Sequence, residues 1–150
     1  MSLHSYSCCW LHLIWATLKR EPILTKDTSR LLVKHLIGYA KQNGIYMKTC
    51  FANADHVHAL IDLPTHYSIE QVIKLLKGES SHWLNGGGLL EKKFSWGRGY
   101  GAFSVSQSNV DTVIRYINNQ AKHHEKKPFM QEYKDFIHVY GMRWRDDEEA

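Results

Sequence analysis

"IYMKTCFANADHVHALIDLP" (Ile45–Pro64) holds two extended runs, Ile45–Ala52 and His56–Leu63, separated by Asn53-Ala54-Asp55. Apolar, β-branched and aromatic residues around a three-residue polar connection spell an antiparallel hairpin. Pro64 closes the second strand. Side chains alternate across a strand, so Val57, Ala59, Ile61 and Leu63 share the face that must meet a core. His56 and His58 share the opposite face, in a register where two imidazoles can hold one metal ion.

The rest of the chain supplies the partners of this hairpin. Upstream, "HSYSCCWLHLIWATLKR" (His4–Arg20) is apolar on both faces, as a central strand should be, and Glu21-Pro22 stops it. "TKDTSRLLVKHLIGYAKQNG" repeats Leu32, Val33, Leu36, Ile37 and Ala40 at helical spacing. Asp27 or a nearby threonine can cap this helix, and Gly44 suits its end. Downstream, Ser68 with Gln71 forms a capping box. Ile69, Val72, Ile73, Leu76 and Trp83 then make a buried stripe, with Lys74, Lys77 and Ser81 on the other side. The glycine-punctuated "LNGGGLLEKKFSWGRGYG" leads to a short alternating strand, "GAFSVSQ" (Gly101–Gln107). "SNVDTVIRYINNQAKHHEKK" reads as a helix with Ser108 or Asn109 at its start, and Pro128 starts a last helix.

The order is β-α-β-β-α-β followed by two helices. Its economical solution is an α+β, ferredoxin-like sandwich. One sheet face lies under the first two helices, and the other is left for function or for the later helices. The expectation is a single domain over 1–150, with a core of about 4–124, an added C-terminal helix of about 128–141 and a disordered acidic tail at 145–150.

Composition excludes several classes. No apolar run is long enough to span a bilayer. Lys19 and Arg20 follow the first apolar stretch instead of preceding it, which argues against a signal peptide. The three cysteines include the neighbours Cys8 and Cys9, a poor basis for a disulfide framework, so a reducing cytoplasm is expected. A net charge of +4 favours an anionic partner without establishing one. No Gly-rich P-loop is present, so no nucleotide cofactor is expected.

The His-x-His spacing is weak evidence by itself, because 10 histidines in 150 residues make chance pairs common. Two partly exposed strand histidines would explain it equally well. The helix Val110–Lys122 adds a second feature. Its stripe is Val110, Val113, Ile114, Ile117 and Ala121, which leaves Tyr116 and Gln120 together on the flank, one turn apart. A phenol beside an amide is a plausible chemical pair, but tyrosines on half-buried helix flanks are also ordinary.

In combination the motifs are more specific. "DHVHALIDLP", "SIEQVIKLLKGESS", "FSWGRGYGAFSVS" and "VIRYINNQ", in that order, resemble the single-tyrosine HUH transposases of the 200/605 group of bacterial insertion sequences, which include the repeat-associated tyrosine transposases. The resemblance covers roughly residues 4–124. It implies that Tyr116 is a nucleophile and that His56, His58 and Gln120 hold Mg²⁺ or Mn²⁺. It further implies single-stranded DNA with hairpin ends as substrate, a homodimer, and a bacterial cytoplasmic protein that joins the nucleoid when bound to DNA. Such chemistry makes a 5′-phosphotyrosine and a free 3′-hydroxyl, and the ester stores the bond for strand transfer. Three neutral ligands would leave the full divalent charge to act on a phosphate.

Lys19, Arg20, Lys74, Lys77, Arg98, Arg115 and Lys122 are candidates for DNA contact, though each is as readily a solvated surface charge. Trp96 and Tyr100 could stack on bases or fill a core. The segment after the tyrosine helix departs from shorter family members, and its role is open. A replication-initiator nuclease would place lysine where Asn119 stands, and a relaxase would place its tyrosine before the histidines. A domesticated, non-catalytic nucleic-acid-binding module is the remaining alternative.

Overall fold

The computed structural model describes residues 5–123 and 127–139. Strand β1 (Trp10–Ala16) leads through a short 3-10 turn to helix α1 (Lys26–Gln42). The hairpin β2 (Tyr46–Ala52) and β3 (His56–Asp62) follows, then α2 (Ile69–Gly86) and β4 (Gly101–Val105). Three helices end the described chain: α3 (Val110–Asn118), α4 (Gln120–His123) and α5 (Phe129–Val139). The strands form one sheet in the order β2-β3-β1-β4, every pair antiparallel. This is the ferredoxin-like order expected from the sequence.

Local signals act as their chemistry requires. Thr25 Oγ1 accepts from the Thr28 amide and caps α1. Ser68 and Gln71 complete the capping box of α2. Asn53 donates its amide to the His56 carbonyl and closes the hairpin. Gly44 turns the chain after α1 at φ 71, a conformation that favours glycine.

The first core layer lies between the sheet and α1 and α2. Leu13, Val57, Ala59 and Ile61 meet Leu32, Leu36, Val72 and Leu76 there. Each fully buried aliphatic side chain of this kind contributes about 1.5–3 kcal/mol. Leu84 is fully buried in the stripe of α2, while Trp83 packs half-buried against the same core and stacks on His35 with ring centroids 4.3 Å apart.

The opposite sheet face is covered as well. Leu60, Val110 and Ile117 form one cluster under α3. Ile14, Phe103 and Phe129 form another under α5. β1 and β3 are therefore packed on both sides, which is why β1 reads as apolar on both faces.

Two boundaries differ from expectation. The first strand is confined to Trp10–Ala16; residues 5–9 are exposed, and Cys9 is tied to the end of β3 through Asp62 and Leu63. The tyrosine helix breaks at Asn119, where φ is -100 and ψ is 17. The expected acidic tail at 145–150, the end of the last helix at 140–141, and core residues 4 and 124 lie outside the described residues.

Candidate active site

Strand alternation brings His56 and His58 to the face covered by α3 and α5, and both are completely buried. They are not the partly exposed pair that spacing alone allowed. In the sheet Ile14 pairs with His58 and Ala16 with His56. His12, two positions before Ile14, consequently lies on the same face, and its Nε2 is 2.8 Å from His58 Nδ1.

Each histidine is held by its outer nitrogen. His56 Nδ1 donates to Asp55 Oδ1 at 2.7 Å, which leaves Nε2 with its lone pair. Asn53 Nδ2 donates to that lone pair at 3.0 Å. His58 Nε2 is 3.0 Å from Glu132 Oε1, and His56 Nε2 is 3.9 Å from the same oxygen. With a proton on His58 Nε2, that ring donates to Glu132 and accepts from His12. When Nε2 serves as a ligand instead, the proton sits on Nδ1 and is donated to His12 Nε2. Burial first, and His58 second, push His12 down to about 3, although Glu132 opposes this. His12 is therefore neutral near pH 7 and serves either arrangement without adding positive charge.

His56, His58 and Glu132 each offer one ligand atom, and the three atoms lie within 4.8 Å of one another. Two imidazole nitrogens and a carboxylate oxygen are a suitable donor set for a divalent cation. The carboxylate on the far nitrogen of His56 is the usual support for a metal-binding imidazole.

Tyr116 comes to this cluster from α3. Its ring centroid is 5.8 Å from that of His58 and 6.0 Å from that of His12. Thr49 Oγ1 on β2 donates to Asn118 Oδ1 at 2.8 Å and pins the end of this helix. The Tyr116 hydroxyl oxygen is buried. Burial pushes its pKa well above the ordinary value, and the negative charge of the nearby Glu132 carboxylate adds to this. The physical sense is direct: both a dry surrounding and a neighbouring negative charge disfavour the phenolate.

Gln120, also fully buried, lies just past the helix break. Its Nε2 reaches the Tyr116 carbonyl at 3.4 Å. Its Oε1 accepts from Asn53 Nδ2 at 3.3 Å, so it reaches His56 through Asn53. The oxygen beside both histidine Nε2 atoms is that of Glu132. Sequence reasoning missed Glu132 and His12. The signal for Glu132 was an acid inside an aromatic stripe: Phe129, Glu132 and Phe136 share one face of α5. Phe129 stacks on His56 at 4.1 Å, and Phe136 meets His12 and Tyr116 edge-on.

The basic candidates divide between two places. The turn after β1 carries Lys19 and Arg20, both at positive φ. Thr17 donates its amide to the Asp55 carbonyl, and Gly97 to the Ala16 carbonyl. The Lys19–Arg20 turn and the exposed Arg98 loop thus flank the end of the sheet that bears His56. Arg115 is exposed beside Tyr116. Lys74 instead lies on α2, in the opposite layer, beside a shallow groove of about 420 Å³ lined by Tyr67, Gln71 and Leu75. The Lys77 ammonium is engaged with the Gly97 and Gly99 carbonyls, and burial lowers its pKa. Trp96 packs on Trp15 and donates to Ser80 Oγ, while Tyr100 is exposed. Lys122 belongs to α4, but its side chain lies outside the described residues.

The family described as IS200-like transposases matches residues 5–120. The chain belongs to this family. The ISDra2 transposase TnpA of Deinococcus radiodurans is 30% identical over 121 residues, covering 77% of this chain and 84% of that protein. A crystal structure from Deinococcus radiodurans, assigned as a transposase, is similar with a TM-score of 0.64 and 26% identity, over 80% of this chain and 96% of the other. A REP-associated tyrosine transposase bound to a REP hairpin shares the fold, with a TM-score of 0.58 and 14% identity, over 83% of this chain and 74% of the other. In this transposase α5 lies beyond the matched residues. Among the described residues, no helix is long and apolar enough to cross a membrane.

Proposed function

We propose that this transposase cleaves and rejoins single-stranded DNA, with Tyr116 as the nucleophile. The observation that carries the reading is the packing of Tyr116 against the buried His56–His58 pair of its own chain. The phenol oxygen forms a bond to phosphorus as the bond to the 3′-oxygen breaks, giving a 5′-phosphotyrosine and a free 3′-hydroxyl. The leaving oxygen takes up a proton, and the phenol gives one up to a neighbouring acceptor. Reversal by another 3′-hydroxyl rejoins the strand and needs no nucleotide cofactor. His56 and His58, with Gln120 as the expected third ligand, would hold Mg²⁺ or Mn²⁺. When bound, such an ion offsets charge on the phosphate oxygens.

The hairpin-bound relative supports hairpin-ended single strands as the substrate class. The Lys19–Arg20 turn, Arg98 and Arg115 would line the approach of the phosphate backbone, and Lys74 and Lys122 are further candidates for contact with DNA. Homodimerisation and a place in the bacterial cytoplasm, at the nucleoid, belong to the same reading. Family membership favours the transposase over a replication initiator or relaxase.

The test uses end-labelled single-stranded DNA carrying a hairpin, with Mn²⁺. His58→Ala is expected to lose cleavage by at least about 100-fold while DNA binding changes little. Full cleavage by that variant would refute the ligand role.

A further inference from the structure

We infer that Glu132 is a metal ligand supplied by α5, so that a divalent cation at His56 and His58 pins this helix across the site. The inference rests on the reading of the two histidines as ligands and goes beyond it, because α5 lies outside the residues that match the family.

Spacing is the first support. Bonds of about 2.0–2.2 Å from one ion set neighbouring ligand atoms about 3–3.5 Å apart. Glu132 Oε1 lies 3.0 Å from His58 Nε2 and 3.9 Å from His56 Nε2. One ion takes all three once Asn53 Nδ2, 3.0 Å from His56 Nε2, yields that lone pair to it.

Burial is the second. Glu132 is 2% exposed. An ionised carboxylate so placed is strongly unfavourable unless opposite charge meets it. A divalent cation held beside it would supply such charge.

The third support lies behind the ligands. Asp55 holds the far nitrogen of His56 and His12 that of His58, so both Nε2 atoms are aimed at the space that Glu132 shares. Phe129 on His56 and Phe136 on Tyr116 fix the face of α5 from which Glu132 projects.

Ion binding and helix docking must then be linked: whatever lifts α5 weakens the ion, and the ion holds α5 down. The test uses the full chain and Mn²⁺ alone. Free Mn²⁺ is measured by electron paramagnetic resonance, and exchange of the amides at 129–139 by mass spectrometry. Glu132→Gln is expected to bind Mn²⁺ at least tenfold more weakly than the unaltered chain. Saturating Mn²⁺ should slow exchange across α5 at least tenfold in the unaltered chain and not in Glu132→Gln.

Unchanged affinity in Glu132→Gln would overturn the inference. So would α5 exchange indifferent to Mn²⁺ in the unaltered chain, a result that requires no variant to fold. His58→Ala separates the two levels. If it binds Mn²⁺ like the unaltered chain, the histidine reading itself fails. If it loses the ion while Glu132→Gln keeps it, only the role of Glu132 fails.

Discussion

His12 makes the buried histidine cluster measurable through pH. In the folded chain burial holds this imidazole at about 3, against 6.5 for an ordinary histidine. The unfolded chain therefore takes up a proton on His12 as pH falls through 6.5, and the folded chain does not until about 3. Stability from this group is complete above 6.5 and is lost as pH falls. One pH unit corresponds to about 1.4 kcal/mol, so the loss reaches about 2 kcal/mol by about pH 5. The upper limit, about 5 kcal/mol, applies near pH 3. The assay is urea unfolding in chelator, from about pH 7.5 to about pH 5, of the unaltered chain and of His12→Gln. A glutamine can still hydrogen-bond His58 but does not titrate. The stability difference between the two proteins should narrow by about 2 kcal/mol over that range. Parallel profiles would show that His12 is not held neutral against His58, and the arrangement of the cluster would have to be redrawn.

Two further predictions concern how the site is framed. A Cβ at Gly101 would lie 2.8 Å from Phe103 Cε2 and 2.9 Å from Tyr133 Cε1, so Gly101→Ala should cost about 1–3 kcal/mol by forcing α5 away from β4; an unchanged urea midpoint would contradict this. Lys77 holds two loop carbonyls, so Lys77→Met should cost about 1–2 kcal/mol, while Lys74→Ala, at an exposed position, should change stability by less than about 0.5 kcal/mol; equal effects in urea would refute the distinction.

Much of the architecture was legible because its signals are local. The hairpin loop, the Ser68–Gln71 capping box and the period-two pattern of Val57, Ala59 and Ile61 each act within a few residues. They led to the observed strand order. The shared face of His56 and His58 followed from the same alternation. What covers that face did not, because α3 and α5 dock through contacts far apart in sequence. Glu132 reaches His58 across 74 positions, and His12 reaches it across 46. Periodicity marks Glu132 as inward-facing but does not say which strand it meets. The break at Asn119 was hidden for another reason. A helical hydrophobic pattern runs through Ala121, and only the non-helical backbone of Asn119, at φ -100 and ψ 17, ends the helix there. Basic residues were the least legible, since charge alone does not separate Lys77, spent on two carbonyls, from Arg98, left exposed.

The central claim is that Tyr116 carries the DNA. Its most direct measurement is to incubate the chain with labelled hairpin-ended single-stranded DNA and Mn²⁺, isolate the covalent protein–DNA adduct, and map the modified peptide by mass spectrometry. A phosphodiester on Tyr116 and no adduct from Tyr116→Phe are the expected results. An adduct on another residue, or one that persists in Tyr116→Phe, would contradict it.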